Sequence, residues 1–253
     1  MNKEADWLLR DKYNGILKPQ FEADFNNDLA RLQNGEPLAY VIGWVPFLGA
    51  KIYLDSLPLI PRAETEYWVA NAIDEIKEYV KEHGNKNIKV LDLCAGSGCI
   101  GVAVLKNIDG AQVDFVEIDT AHHKTIQKNI LENINENSID VNRVKIFGGN
   151  LFENIIDTYD FILTNPPYIN PQYINDVQDS VLTNEPHLAL FGGHDGMQIV
   201  HEILQKAPQF LNKNGVLYIE HEPHQATEIQ TILPGIVPLP DQFGVIRYSV
   251  FRK

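Results

Sequence analysis

Along the chain the spacing of apolar and polar positions changes character twice, and each change predicts a different kind of element. Up to about Asn34, Trp7, Leu8, Ile16, Leu17, Phe21, Phe25, Leu29 and Leu32 stand among charges at spacings that predict amphipathic helix, closed by Asn34-Gly35. Residues 40–44 and 51–54 are rich in β-branched and aromatic types around Pro46 and Gly49, which predicts a hairpin. A helix is predicted from the segment Leu59-Ile60-Pro61-Arg62-Ala63-Glu64-Thr65-Glu66 to about His83, stopped by Gly84. From Asn87 onward strands and helices alternate. Residues 88–93, 113–117, 144–147, 161–164 and 215–220 read as strands, with helices over 99–105 and up to about Asn133 between them. Residues 236–239 and 245–251 read as a closing hairpin at the sheet edge. Such alternation predicts an α/β fold with a mostly parallel sheet and helices on both faces, because right-handed crossovers leave no other convenient packing. The chain therefore divides into a small helical and hairpin region, residues 1–62, and an α/β domain, residues 63–253.

Composition narrows the possibilities. A formal net charge of −13 argues against a partner held mainly through nucleic-acid phosphates, since that affinity comes from clustered Lys and Arg. The two cysteines, Cys94 and Cys99, lie in one loop-to-helix segment where a bridge would close almost no loop, so they read as reduced thiols. The opening residues, Met1 to Trp7, lack a charged-then-apolar signal pattern, and no apolar run approaches the roughly 18 residues of a membrane span. The expected location is the cytoplasm, away from membranes.

The most informative chemistry follows the strand at 161–164. Asn165-Pro166-Pro167-Tyr168 ends an apolar run with a polar side chain, two prolines and an aromatic ring. Prolines fix φ and supply no N–H, so nearby carbonyls are held without competing donors. If the Asn165 side-chain oxygen and the Pro166 carbonyl each accept one N–H, a planar –NH2 group is fixed with its lone pair facing one direction, and Tyr168 can stack over it. The same four residues also suit a plain loop after a core strand. Upstream, Gly96 and Gly98 follow a strand and open a helix, a place where backbone approaches a negatively charged ligand. With Cys at position 94 and Gly101 three residues after Gly98, this run reads as falling short of the full dinucleotide pattern G-x-G-x-x-G. Glu117, nineteen residues beyond Gly98 at the next strand's end, suits both hydroxyls of a ribose, which predicts a nucleoside-containing ligand.

With these residues in order on successive strand ends, the chain resembles a class I S-adenosylmethionine-dependent methyltransferase. The motifs are Asp92-Leu93-Cys94-Ala95-Gly96-Ser97-Gly98, Glu117, Gly149-Asn150-Leu151-Phe152 and Asn165-Pro166-Pro167-Tyr168. It is similar, more closely, to the HemK family of protein-(glutamine-N5) methyltransferases, which modify peptide chain release factors. That resemblance also rests on residues 35–43, 59–66 and 185–193, and runs from about Gly35 to the C-terminus. It implies a Rossmann-like, mostly parallel seven-stranded sheet and S-adenosyl-L-methionine as cofactor, with S-adenosyl-L-homocysteine as product. It puts the cofactor's methionine part at Cys94, Ala95, Gly96, Ser97 and Gly98, its ribose at Glu117, its adenine beside Asn150 and Leu151, and its reacting end near Asn165. Asn165, Pro166, Pro167 and Tyr168 would hold a glutamine, with Asn165, Pro166 and Tyr168 carrying the catalysis. The implied partner is a class I release factor; a ribosomal-protein glutamine, or the amino group of adenine or cytosine in nucleic acid, are the alternatives. Two positions depart from the family pattern. Asn150 stands where an acid usually accepts from the adenine amino group, and Cys94 stands where Gly is common, which requires a negative φ there. The helical segment before Gly35 is also shorter than the family's usual N-terminal domain.

Histidines and charges outside these motifs read plainly. His221-Glu222-Pro223-His224 has a metal-like spacing, yet Pro223 breaks the helix that would align the imidazoles, so no metal is expected. His122 and His123 face apart at a helix start and read as solvated, and Arg62 and Glu64 as surface charges.

Overall fold

The computed structural model describes residues 3–84, 87–134 and 143–253, so Met1 and Asn2 of the opening stretch lie outside the described residues. Helices α1 (Lys3–Tyr13) and α2 (Glu22–Gln33) carry the amphipathic pattern, and a short α3 (Leu38–Ile42) follows. Leu8, Tyr13, Phe25 and Val41 from these three helices form a small core of their own. Residues 40–42, expected in a strand, are therefore helical. Pro37 starts this turn and a left-handed Gly43 ends it. Burial of Tyr40, whose hydroxyl donates to the Pro58 carbonyl at 2.7 Å, outweighs the β preference of Val41 and Ile42.

The hairpin that follows is β1 (Trp44–Phe47) paired antiparallel with β2 (Ala50–Tyr53). Helix α4 (Ala63–His83) then leads into β3 (Lys89–Leu93), α5 (Cys99–Asn107), β4 (Gln112–Glu117), α6 (His123–Asn133), β5 (Val144–Gly148) and β6 (Tyr159–Thr164). Helices α7 (Asp179–Asn184) and α8 (Gln198–Phe210) precede β7 (Leu211–Glu220), and α9 (Ala226–Ile232), β8 (Val237–Pro240) and β9 (Ile246–Arg252) close the chain. Seven strands form one sheet in the order β5-β4-β3-β6-β7-β9-β8. The first five run parallel, and β9 lies antiparallel between β7 and β8, so the closing hairpin reaches the edge with its second strand inside.

Both faces of the sheet are covered, as buried parallel strands require. Successive residues of one strand serve different cores: Phe161 and Leu163 of β6 pack with α4 and α5, while Ile162 packs with Val200, Ile203 and Leu204 of α8. The α4 stripe, Trp68, Val69, Ala72, Ile73 and Ile76, recurs at three- and four-residue spacing and is buried throughout. The hairpin joins this core through Phe47, Ala50 and Ile52. Asn129 of α6, fully buried, accepts from the Tyr53 N–H at 2.7 Å and donates to the Tyr53 and Ser97 carbonyls at 3.0 and 2.9 Å. One side chain thus ties the hairpin to the glycine-rich turn.

Candidate active site

The loops leaving β3, β4, β5 and β6 line a single cavity. Of the residues expected to bind cofactor, Cys94, Ala95, Gly96, Ser97, Glu117, Asn150, Leu151 and Asn165 are on its wall, and Pro167 joins them. Gly98 lies beneath the turn, its N–H donating to the Ala95 carbonyl at 2.7 Å. Tyr168 faces a neighbouring groove, and Pro166 is buried beside it.

The turn after β3 departs from expectation at Cys94. Its φ is +62°, in line with +55° at Gly96 and +77° at Gly98, so a side chain occupies the left-handed region where a negative φ was required. Burial and the Glu117 charge push its thiol well above the ordinary value, which keeps it protonated. Cys99, also free, is pushed up to about 12 by burial. Counted from Gly96 rather than from position 94, the glycines at 96, 98 and 101 do fall at the G-x-G-x-x-G spacing. Gly101 has a packing reason: a Cβ there would stand 2.3 Å from the Phe115 ring, so only glycine lets α5 lie this close to β4.

Glu117 is held by backbone. Its carboxylate accepts the Gly96 N–H at 2.7 Å and the Asp119 N–H at 2.8 Å, is nearly buried, and keeps lone pairs for a ligand's hydroxyls. Behind it Asp92 accepts the Gly101 N–H at 2.8 Å through Oδ2, while its buried Oδ1 has no partner among the described residues. Burial pushes the Asp92 carboxyl up to about 8. His122 is not solvated: it is buried on the cavity wall with Nδ1 2.8 Å from Ser56 Oγ, on the segment that leaves the hairpin. Arg62 is likewise no free surface charge. It pairs with buried Glu185 at 2.5 Å, and Glu185 also accepts the Ile60 N–H at 3.0 Å. Two separate segments, 59–66 and 185–193, meet there.

At the opposite wall, Asn165 Nδ2 donates to Thr65 Oγ1 at 3.2 Å. Glu220, at the end of β7 and buried, accepts from Thr65 Oγ1 at 2.7 Å, from Trp68 Nε1 at 2.7 Å and from Tyr168 Oη at 3.0 Å. Burial raises the Glu220 carboxyl, and three donors oppose the shift. The Tyr168 carbonyl accepts from Gln225 Nε2 at 2.9 Å, and the Ile169 N–H donates to the Leu190 carbonyl at 2.9 Å, so the loop after β6 is fixed from two directions. Thr65, Trp68, Glu220 and Gln225 are not singled out as site residues by the sequence; Glu220, a charge closing the apolar run 216–219, carries the one local mark. Both imidazole nitrogens of His221 are engaged, with Ser249 Oγ at 2.7 Å and the Glu222 carbonyl at 2.8 Å, while His224 packs edge-on to Tyr173.

A parallel sheet with an antiparallel strand inserted beside its last crossover, and a cavity at its strand ends, defines a class I, Rossmann-like methyltransferase. Residues 72–184 match the methyltransferase small domain family. Solved structures share the fold: the hMettl16 catalytic domain bound to a MAT2A 3'UTR hairpin (TM-score 0.59, 17% identity, 80% of this chain and 74% of that one) and a methyltransferase from Pyrococcus furiosus (TM-score 0.54, 18% identity, 90% and 98%). Within that class the chain belongs to the release factor glutamine methyltransferase family. It is 31% identical to the enzyme of that name from Flavobacterium psychrophilum (86% of this chain, 76% of the relative) and 35% identical to that from Geobacter sulfurreducens (86% and 75%). The relative from Streptococcus pneumoniae is 32% identical over 91% of this chain and 79% of its own. The resemblance read from the motifs is borne out.

Proposed function

We propose that this protein methylates the side-chain amide nitrogen, N5, of a glutamine in a peptide chain release factor, taking the methyl group from S-adenosyl-L-methionine. The observation that carries the reading is Asn165: it stands on the wall of the cavity that Glu117 shares, with its amide nitrogen engaged by Thr65 and its oxygen left for a ligand. The residues around it fit the cofactor. Glu117 offers acceptors to a ribose, Cys94 to Ser97 offer a turn for the methionine part with Gly98 supporting it, and Asn150 and Leu151 offer a polar and an apolar surface to adenine. Bound there, the cofactor supplies an electrophilic methyl group.

The chain's own residues then counter the poor nucleophilicity of an amide, whose lone pair is delocalised into its carbonyl. Asn165 Oδ1 and the Pro166 carbonyl accept the two N–H bonds, draw density onto nitrogen and restrict its rotation. No strong base is required, because the amide proton becomes acidic only as the new C–N bond forms and the donor's S–C bond breaks; the proton would then pass to water and S-adenosyl-L-homocysteine would be the leaving group. Tyr168, tethered through its hydroxyl to Glu220, borders the aliphatic part of the glutamine together with Pro167.

We assign residues 1–62 to substrate docking and 63–253 to methyl transfer. A groove of about 710 Å³ runs from Glu4 and Leu32 of the N-terminal helices to Tyr168 and Glu220, which supports this division of labour. Among the described residues no helix is long and apolar enough to cross a membrane. The test is transfer of labelled methyl from S-adenosylmethionine into a release factor, with mass spectrometry locating the modified side chain. Label on the glutamine amide is the expected result; label elsewhere, or none, overturns the reading.

A further inference from the structure

The side chains behind Asn165 form a chain of hydrogen bonds whose direction can be worked out by counting protons. An indole N–H can only donate, so Glu220 Oε2, 2.7 Å from Trp68 Nε1, is an acceptor. As a carboxylate Glu220 offers only lone pairs, so Thr65 Oγ1, 2.7 Å from that same oxygen, commits its single proton there. The Thr65 oxygen is then left only with lone pairs toward Asn165, 3.2 Å away, and the atom of Asn165 that meets it must be the amide nitrogen. The reverse orientation of the Asn165 amide would set its oxygen against the Thr65 lone pairs and leave Nδ2 facing the ligand side.

We infer that Thr65 is a positioning residue, and that Glu220 and Trp68, by fixing the direction of the Thr65 hydroxyl, hold Asn165 with its oxygen toward the group to be methylated. This deepens the proposed glutamine methylation and rests on it, because the orientation matters only if the target presents N–H bonds. A reversed Asn165 would meet a substrate –NH2 donor to donor, so turnover scales with the fraction of enzyme in the correct orientation. None of the three residues need touch the cofactor for this to hold. The relay joins the first turns of α4 to the end of β7 and the loop after β6, three elements that separate residues by up to 155 positions in the chain.

The test uses the full chain with Thr65→Val, which keeps shape and removes the hydroxyl, and Thr65→Ser, which keeps the hydroxyl. Losing one neutral hydrogen bond corresponds to about a tenfold fall in kcat. For Thr65→Val that fall is expected with unchanged cofactor affinity and little change in KM for the release factor, and Thr65→Ser should recover most of it. Because Thr65 acts through Asn165, adding Thr65→Val to Asn165→Ala should cost nothing further. A merely structural role for Thr65 would lower stability and would cost the same in both backgrounds, which overturns the inference, as does parent turnover in Thr65→Val. The two readings fail separately. If Asn165→Ala itself transfers at the parent rate, the amide clamp is wrong and the relay falls with it; if Asn165→Ala is inactive while Thr65→Val is not, only the relay is wrong.

Discussion

The two walls of the cavity are built by opposite means. On the side proposed for the cofactor the parts are near neighbours in the fold and are joined mainly through backbone: Glu117 sits one strand over from the turn it contacts, and both its hydrogen bonds come from main-chain N–H groups, with the Asn129 side chain holding the Ser97 carbonyl. On the amide side the four-residue loop is held by side chains brought from afar, Thr65 and Trp68 from α4, Glu220 from β7 and Gln225 beyond it. A backbone-built wall tolerates changes of side chain as long as the turn is kept. A wall built from side chains depends on each one, and that difference predicts where substitutions hurt most.

The largest effect is expected at Asn165. Asn165→Ala should lower methyl transfer at least about a hundredfold, the loss typical of one preorganised polar contact at a reacting centre, with cofactor affinity falling far less. Single-turnover transfer, with cofactor binding measured separately, decides it; parallel losses in both would erase the distinction between the walls. Glu117→Ala should do the reverse. Removing a charged acceptor from two hydroxyls costs about 1.5–3 kcal/mol of cofactor affinity by calorimetry, and transfer should recover at saturating cofactor. Unchanged affinity would remove Glu117 from the ribose site.

The same contrast explains what could be read in advance. A strand that ends in Asn165-Pro166-Pro167-Tyr168, and a turn answered by an acid on the next strand, are local patterns, and the order of strands and helices follows from their alternation. The Thr65 to Glu220 contact, the Arg62 to Glu185 pair and the burial of His122 join residues 66 or more positions apart, and nothing near any of them in sequence announces its partner. Residues 40–42 misled for a related reason: their β preference is real, but a proline before them, a glycine after them and a buried tyrosine among them decide the backbone. The left-handed Cys94 was hidden because residue type alone does not reveal a φ of +62° at a non-glycine position.

Asp92 offers an effect of a different kind, on stability rather than turnover. Its carboxyl is raised from 3.8 to about 8 in the folded chain, so the folded state holds a proton that the unfolded state releases. The resulting stability is complete below about pH 4 and is lost as pH rises toward 8. Asp92→Asn cannot titrate and should remove this component. The difference in unfolding free energy between variant and parent should therefore grow in the variant's favour by up to about 1.4 kcal/mol per pH unit across that window. Denaturant melts at pH 5, 6 and 7 would show it, and a difference independent of pH would mean that Asp92 is ionised in the folded chain.

The smallest effect belongs to Cys94, and it tests the backbone-built wall most directly. A non-glycine residue in the left-handed region costs roughly 1–2 kcal/mol, so Cys94→Gly relieves strain. It also frees the unfolded chain, at roughly 0.5–1 kcal/mol, and removes a partly buried thiol that packs against the core on one face of the sheet. These terms oppose one another, and the net change in stability should stay within about 1 kcal/mol. Cofactor affinity and methyl transfer should stay near the parent values, because the thiol is held protonated and the turn's shape is kept. Cys94→Val should behave differently: a β-branched side chain resists φ of +62°, so stability and cofactor affinity should fall together as the turn is forced out of shape. Equal behaviour of the glycine and valine variants would show that the cofactor wall does not depend on this backbone conformation, and the contrast between the two walls would go with it.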